Sequence, residues 1–240
     1  MSYICLDKIT FGYEEGCEIF KDFSLEINRG ECVVIRGDNG SGKSTLFRIL
    51  NGLSFPSKGA YTLDGVTITK KYLDDNRNSK LFHKKVGFLF QNPDVMLFNS
   101  NVFDEIAFGP RQMGLSDEEV NKRVDDCMQL LEIKNIAARA PYNLSGGQKK
   151  KVAMAAMLSL NPEIIVLDEP LSGLDKNSYA CFLNIIMDLK KAGKTLIIAT
   201  HDDEFANLMA DRQVLLSYRE TSFPACENAS FITSSTVTKL

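Results

Sequence analysis

The chain has 240 residues, of which 44% are hydrophobic and 25% charged, and its formal net charge at pH 7 is -3. This composition is typical of a globular protein with a substantial core, and it lacks the basic surplus of a general nucleic-acid binder. The six cysteines are scattered without a CxxC pair, which argues against a zinc ribbon or a disulfide framework and favours reduced thiols in the cytosol. The sequence has no apolar run of the roughly 18 residues that span a bilayer and no N-terminal signal pattern. We therefore expect any work at a membrane to be done from the cytoplasmic side.

The first predicted elements are strands. Residues 3–10 and 18–28 alternate between apolar and polar side chains, which predicts a small antiparallel layer. Residues 31–36 (ECVVIR) form a short β-branched run between turn residues, as expected for a central strand that is buried on both faces. Further apolar runs of this kind alternate with helical patterns along the chain. This alternation predicts an α/β fold with a wound, largely parallel sheet.

Residues 37–45 (GDNGSGKST) lie between this strand and a helical run at residues 46–50, and they match the Walker A phosphate-binding pattern in the context that it requires. The glycines allow backbone N–H groups to face phosphates, and the helix N-terminus adds a partial positive charge. We expect Lys43 to reach the β- and γ-phosphates and Ser44 to bind Mg²⁺ through its hydroxyl. The alternative, a glycine-rich turn with a solvated lysine, requires a chance match on the order of one in a hundred. The nucleotide-binding residues predicted here are Gly37, Asn39, Gly40, Ser41, Gly42, Lys43, Ser44 and Thr45.

From residue 93 to residue 160 the pattern changes to successive helices, which predicts a helical insertion between two strands of the sheet. Ser116 and the acidic residues after it predict the start of a helix that runs to Leu131.

The pentapeptide LSGGQ at residues 144–148 precedes a further helical stretch at residues 149–160. It is a helix cap, and a serine hydroxyl with two glycine N–H groups at a helix start also makes a second phosphate-binding edge. An accidental LSGGQ is far rarer than an accidental Walker A pattern. The residues predicted to contact nucleotide from this edge are Ser145, Gly146, Gly147 and Gln148.

Residues 163–167 (EIIVL) predict a second buried strand, which ends at the adjacent carboxylates of Asp168 and Glu169. Ligands of open α/β sheets bind at the carboxyl ends of strands, and this arrangement resembles a Walker B motif. We expect Asp168 to hold the Mg²⁺ shell and Glu169 to orient the water that attacks the γ-phosphate. A solvated strand end would explain the two acids equally well alone, but it loses weight beside the Walker A pattern.

Together these motifs resemble the nucleotide-binding subunit of ABC transporters, a P-loop NTPase with a RecA-like core. The LSGGQ sequence carries this resemblance, because it distinguishes the family from P-loop kinases, GTPases and helicases. The resemblance implies that Gln91, after a strand at residues 86–90, contacts Mg²⁺ and the nucleophilic water. It also implies that Asp175 belongs to the D-loop and that His201, after a strand at residues 194–199, contacts the γ-phosphate. Taken singly, these would be two surface polar residues and a hydrogen-bonded strand-end histidine.

The resemblance further implies ATP and Mg²⁺ as ligands and a head-to-tail dimer with a second ATPase subunit. In that dimer the LSGGQ edge of one subunit faces the γ-phosphate bound by the other. Tyr13 matches the aromatic position that stacks on adenine. The alternative for Tyr13 is a core aromatic packed against Phe11 or Phe20.

The implied organisation is a single domain over residues 1–240. Residues 1–92 and 162–217 form the nucleotide-binding core with its antiparallel β layer, and residues 93–161 form the helical signature subdomain. Residues 218–240 are rich in Ser and Thr without clear periodicity, so we expect a loosely held tail there.

Two further segments, residues 90–98 (FQNPDVMLF) and 103–110 (FDEIAFGP), look like those of the ATPase in energy-coupling factor importers, which take up cobalt, nickel or vitamins. In that group the segments carry the groove for the coupling helices of an integral membrane subunit, and Met96, Leu97 and Phe98 are suitable apolar anchors. The resemblance implies a peripheral position on the cytoplasmic face of the membrane. The sequence departs from the group's pattern at three positions, with Met96 in place of Gln, Lys151 in place of Arg and Leu171 in place of Thr. None of these residues takes part directly in the chemistry.

Two other classes are disfavoured. A soluble ABC ATPase that acts on DNA or ribosomes usually has tandem ATPase halves or long coiled-coil insertions, whereas this sequence has one motif set and no basic surplus. We therefore expect no nucleic-acid partner. A regulatory subunit that binds ATP without hydrolysing it would not need both Glu169 and His201. The cargo stays open, as does the choice between a homodimer and a heterodimer, since either would use the same edges.

Overall fold

The structure is a computed structural model that describes residues 2–14, 16–220 and 230–238. Short 3₁₀ turns occupy Pro93–Val95, Lys134–Ile136 and Pro141–Asn143. The strands and helices in chain order are β1 (Ile4–Glu14), β2 (Cys17–Ile27), β3 (Cys32–Arg36), α1 (Lys43–Leu50), β4 (Lys58–Leu63), β5 (Val66–Thr67), α2 (Lys70–Asp74), α3 (Asn76–Lys85), β6 (Val86–Leu89), α4 (Val102–Gln112), α5 (Asp117–Leu130), α6 (Gly146–Leu158), β7 (Ile164–Asp168), α7 (Lys176–Lys191), β8 (Thr195–Ala199), α8 (Asp203–Met209), β9 (Arg212–Glu220) and β10 (Ser230–Thr238).

The chain divides into two compact units, of which the first comprises Met1–Ser79 and Gly193–Leu240. Its strands follow the order β5, β4, β1, β2, β10, β9, β3, β8. β1 pairs antiparallel with β2 and β4, whereas β3 pairs parallel with β8 and β9. β8 is buried along its whole length and β3 along all but its last residue, as strands covered on both faces are. The structure therefore confirms an antiparallel layer that adjoins a parallel, P-loop type sheet.

The second unit, Lys80–Ala192, contains the parallel strands β6 and β7 and the helices α4 to α7. Helices α4, α5 and α6 pack against one another, and α6 also packs on β6. Gly87 permits this packing, because a Cβ atom there would lie 2.8 Å from the side chains of both Met157 and Pro162. The unit extends beyond the helical subdomain predicted at residues 93–161, since it includes both strands and α7.

The predicted start of α5 is confirmed. Ser116 is its N-cap, and its hydroxyl accepts a hydrogen bond from the backbone N–H of Glu119. The Glu119 carboxylate accepts in return from the backbone N–H of Ser116, which completes a capping box.

The C-terminal residues differ from the prediction of a loosely held tail over residues 218–240. β9 continues to Glu220, and β10 pairs antiparallel with it from Ser230 opposite Glu220 to Thr238 opposite Arg212. β10 also pairs parallel with β2 at Ile232. The prediction relied on composition, whereas β-branched Thr, Ile and Val favour a strand once a partner edge is available. Residues 221–229 and 239–240, which belong to the same predicted tail, lie outside the described residues.

Among the described helices, none combines the length and the apolar character needed to cross a bilayer.

Candidate functional site

In the first unit, the loop between β3 and α1 folds around the ammonium group of Lys43. Its Nζ donates hydrogen bonds to the backbone carbonyls of Gly37, at 2.6 Å, and Asp38, at 2.9 Å. Gly40 and Gly42 have φ angles of 81° and 88°, a left-handed conformation that side chains disfavour. Gly42 is the N-cap of α1 and provides no side-chain acceptor. The first N–H groups of α1 therefore face an edge that favours an anion.

Ser41 and Gly37 show how closely the loop is packed. A Cβ atom on Gly37 would lie 2.5 Å from both the carbonyl oxygen of Leu216 and the Oγ of Ser41. The Ser41 Oγ is buried and has no hydrogen-bond partner among the described residues. A buried hydroxyl without a partner costs about 1–3 kcal/mol, so the loop has an unmet requirement for a polar ligand atom.

Tyr13 lies beside the start of α1. Its hydroxyl is 3.4 Å from the Oγ1 of Thr45, and its ring makes an edge contact with Phe11 at a centroid distance of 5.1 Å. The side chain is 60% exposed. Tyr13 is therefore not a core aromatic, and its ring remains accessible for stacking.

In the second unit, β7 is buried over its whole length and ends at Asp168, and Glu169 follows; both acids are buried. Glu169 has a φ angle of 47°, in the left-handed region. The ammonium group of Lys150 donates to the Glu169 carbonyl oxygen at 2.7 Å and to the Ser172 carbonyl oxygen at 2.9 Å. Burial lowers the pKa of Lys150 to about 8, although the nearby carboxylates of Glu169 and Asp168 act in the opposite direction.

The LSGGQ sequence begins α6 in this unit. The Oγ of Ser145 accepts from the backbone N–H of Gln148, and the Oε1 of Gln148 accepts from the backbone N–H of Ser145 at 3.1 Å. A Cβ atom on Gly146 would meet nothing within 4 Å, and one on Gly147 would meet only ordinary contacts, at 3.5 Å or more. The packing of the chain itself therefore requires neither glycine, although Gly in a helix costs about 1 kcal/mol relative to Ala. Their small size leaves the helix start open to a ligand that approaches from outside the chain.

Asp175 is the N-cap of α7. Its Oδ1 accepts from the backbone N–H groups of Asn177 and Ser178, each at 3.0 Å, and its Oδ2 accepts from the Ser178 hydroxyl. These hydrogen bonds, with the Ser178 backbone N–H foremost, lower the pKa of Asp175. The side chain therefore has a structural function in its own unit, where it also lies near Gly147.

Gln91 and His201 are exposed residues that follow strands. Gln91 comes two positions after the end of β6, in the second unit. His201 comes two positions after the end of β8, in the first unit, directly before Asp202, which caps α8. The predicted site residues thus form one group in each unit. The first unit holds Tyr13, the Walker A residues and His201, and the second holds Gln91, Ser145, Gly146, Gly147, Gln148, Asp168, Glu169 and Asp175.

Lys150, which no sequence pattern singled out, contacts the main chain beside the predicted catalytic acid. Lys149, Lys150 and Lys151 are consecutive in α6, so the helical period allows at most part of this run to face solvent. The run of three lysines does not by itself show which of them lies on the packed face of the helix.

Comparison with known proteins gives a consistent result. A family model described as ABC transporter matches residues 20–172. An ABC transporter ATP-binding protein of Clostridium acetobutylicum is 50% identical over 89% of this chain and 88% of that protein. The nickel import ATP-binding protein LarO of Lactiplantibacillus plantarum is 46% identical over 89% of this chain and 88% of that protein. The energy-coupling factor transporter ATP-binding protein EcfA of Methanosphaera stadtmanae is 42% identical over 85% of this chain and 72% of that protein.

Two solved structures are similar to the chain. The first is cbiO1 from Clostridium perfringens, part of the ABC transporter complex cbiONQ, with a TM-score of 0.76 and 33% identity over 89% of this chain and 84% of that one. The second is a dimeric ATP-binding cassette in a post-hydrolysis state, bound to ADP and Pi, with a TM-score of 0.80 and 30% identity over 88% and 93%. The chain therefore belongs to the ABC transporter family, as an ATP-binding subunit that hydrolyses ATP.

Proposed function

We propose that the chain powers an importer of the energy-coupling factor type, from the cytoplasmic face of the membrane. The observation that carries this proposal is an exposed aromatic pair in the second unit, in the segment that looks like the energy-coupling factor ATPases. Phe98 is 66% exposed and Phe108 is 41% exposed, and their rings meet edge to face at a centroid distance of 4.9 Å. Exposed apolar side chains that contact each other are typical of a surface that binds another protein.

The backbone beside this pair is held from within. Glu105 is a buried carboxylate whose Oε2 accepts hydrogen bonds from the backbone N–H groups of Phe98, at 2.9 Å, and Asn99, at 2.7 Å. Val95, on the preceding 3₁₀ turn, is also exposed. A fixed backbone with protruding apolar side chains supports docking of a helix from an integral membrane subunit.

The cargo of the importer is a metal ion or a small vitamin under this proposal. The relatives support this class, because one is a nickel import protein and another is an energy-coupling factor ATPase. The similarity to cbiO1, which is part of the cbiONQ complex, supports membrane partners for this chain as well. We propose that the working form contains two ATPase subunits, since a similar cassette is dimeric.

The described residues fit ATP with Mg²⁺. The buried Ser41 hydroxyl and the uncapped start of α1 suit phosphate oxygens. The exposed Ser44 hydroxyl, the Asp168 carboxylate and the Gln91 amide oxygen are hard oxygen donors of the kind that Mg²⁺ prefers. When bound, Mg²⁺ neutralises phosphate charge and orients the γ-phosphate.

The other predicted site residues then have roles in ATP binding or in its hydrolysis. Lys43 leaves the loop carbonyls and donates to the β- and γ-phosphates, while Tyr13 stacks on adenine. Glu169 orients and polarises the attacking water, and His201 donates to the γ-phosphate. The open LSGGQ edge completes the site of the second subunit, where Ser145 can still donate its hydroxyl proton. Closure of the dimer around ATP and its reopening after product release transmit motion to the membrane subunits.

Co-purification tests this proposal. The tagged wild-type chain, extracted from membranes in mild detergent, should bring down small and very hydrophobic integral proteins together with Mg·ATPase activity. The Phe98→Ser, Phe108→Ser double variant should recover at least about tenfold less partner, because it loses two aromatic anchors that the partner would bury, which removes several kcal/mol of binding. The matched control is Leu208→Ser, which changes an exposed apolar residue on α8 and should recover partners normally.

Recovery of ribosomes or DNA in place of integral proteins would contradict the importer and leave the ATPase standing. Equal recovery by the double variant and the wild type would contradict the docking surface.

A further inference from the structure

We propose that Lys150 is a positioning residue for ATP hydrolysis. Its side chain fixes the main chain at Glu169 and so links Glu169 to α6, the helix that begins with LSGGQ. The inference rests on the proposed catalytic role of Glu169. Lys150 itself would touch neither ATP nor the attacking water. It acts through the backbone that determines where the Glu169 carboxylate lies.

The two hydrogen bonds of the Lys150 ammonium group are made to backbone carbonyls. The residue is only 4% exposed, and its ammonium group bridges the carbonyl oxygens of Glu169 and Ser172 at 2.7 Å and 2.9 Å. The Glu169 carbonyl oxygen also accepts from the backbone N–H of Ser172 at 3.3 Å, which closes the turn between the two residues. One cation therefore holds both ends of the turn that links the proposed catalytic acid to the D-loop.

The backbone of Glu169 needs such support. Its φ angle of 47° lies in the left-handed region, which a residue with a Cβ atom disfavours. A conformation of this kind persists only where the surroundings determine it. The hydrogen bond from the Lys150 ammonium is charge-assisted, and such bonds are about twice as strong as neutral ones.

A buried lysine is an unusual choice at this position. Burial disfavours an ammonium group, so a lysine here carries a desolvation cost, and its two hydrogen bonds to the turn that begins at Glu169 offset that cost. The neighbouring lysines on α6 show the ordinary arrangement, since Lys149 pairs with Asp94 at 2.7 Å and Lys151 lies 3.8 Å from Glu132. Lys150, by contrast, donates to the turn that begins at Glu169 and ends at Ser172.

The position of Lys150 on α6 also connects Glu169 with the start of that helix. Lys150 lies on α6 five residues after the N-cap Ser145, so a continuous run of helical hydrogen bonds joins it to the start of the helix. In the proposed dimer the start of α6 faces the ATP bound by the other subunit. Occupancy of that second site is therefore transmitted through α6 and Lys150 to the Glu169 of this chain. We infer that Lys150 contributes to cooperativity between the two ATP sites.

The test uses Lys150→Met, Lys150→Gln and a matched control, Lys122→Met, which changes an exposed lysine on α5. For Lys150→Met we expect kcat to fall by about tenfold to a hundredfold, because small misplacements of catalytic groups have effects of that size. Equilibrium affinity for ATP should stay within about twofold of wild type, since binding energy lies in the Walker A loop. The Hill coefficient for ATP should fall towards one.

Gln can still donate to both carbonyls but is shorter and uncharged, so we expect kcat about threefold to tenfold below wild type. The Lys122→Met control should match wild type in all three quantities.

Wild-type kcat and Hill coefficient in Lys150→Met would overturn the proposal. So would a loss of ATP affinity and thermal stability in parallel with kcat, because that pattern marks a purely structural lysine. If Lys150→Met does not fold, Lys150→Gln carries the test, and wild-type kcat in it overturns the proposal. A wrong catalytic assignment of Glu169 can be told apart from a wrong role for Lys150, because Glu169→Gln tests the catalytic assignment without changing Lys150. An inactive Glu169→Gln beside a fully active Lys150→Met contradicts only the role of Lys150.

Discussion

Replacement of Glu169 by Gln should reduce ATP turnover by about 10²- to 10³-fold while ATP binding is retained. The amide has nearly the shape of the carboxylate, so the buried end of β7 should keep its structure. It lacks the negative charge and the basicity that orient and polarise the attacking water. Hydrolysis therefore stops at a stage where both subunits hold ATP, and the closed dimer should accumulate.

Turnover is measured as phosphate release with Mg·ATP, and the dimer by light scattering after size-exclusion chromatography. Glu163→Gln is the matched control, because it makes the same substitution at an exposed acid directly before β7. That control should turn over ATP like wild type and should not trap a dimer. Turnover by Glu169→Gln close to wild type would defeat the assignment of the catalytic acid.

Replacement of Lys43 by Met should have the opposite signature, in which binding itself is lost. The two loop carbonyls that Lys43 contacts would lose their donor, and the β- and γ-phosphates would lose their cation. Charge-assisted hydrogen bonds contribute about 1.5–3 kcal/mol each, so the loss of two of them should lower ATP affinity by at least about a hundredfold. Turnover should fall below detection, and no ATP-dependent dimer should form.

The measurement is a calorimetric titration with ATP, accompanied by thermal unfolding without nucleotide to establish that the variant is folded. Lys122→Met serves again as the exposed control. Unchanged ATP affinity in a folded Lys43→Met variant would be inconsistent with the Walker A assignment.

Much of the fold follows from local signals in the sequence. The β-branched runs at β3, β7 and β8 become buried strands, and the Ser116 capping box starts α5 as predicted. The motif residues lie at strand ends and helix starts because those positions expose the backbone groups and carboxylates that phosphate chemistry uses. Such positions are fixed by short-range patterns, so sequence alone can identify them.

The features that were missed depend on long-range packing. β10 pairs with β9 and, at Ile232, with β2, and a Ser- and Thr-rich composition gives no sign of a distant partner edge. Three consecutive lysines do not reveal which one α6 buries, so only the contacts of its ammonium group identify Lys150 as the residue that supports the backbone of Glu169. The role of Glu105 was missed for a more local reason, because its contacts with the backbone six and seven residues earlier depend on how the intervening loop folds back.

The central claim is that ATP hydrolysis by this chain drives import, and the most direct test is uptake by the complex recovered from membranes and reconstituted in liposomes. Labelled nickel, cobalt and a panel of vitamins would be offered in turn, with Mg·ATP supplied on the side that exposes the ATPase subunits. We predict that one cargo accumulates with wild-type complex, and that accumulation stops without ATP or with Glu169→Gln. Vigorous ATP hydrolysis without accumulation of any of these cargoes, or accumulation that Glu169→Gln leaves intact, would contradict the account.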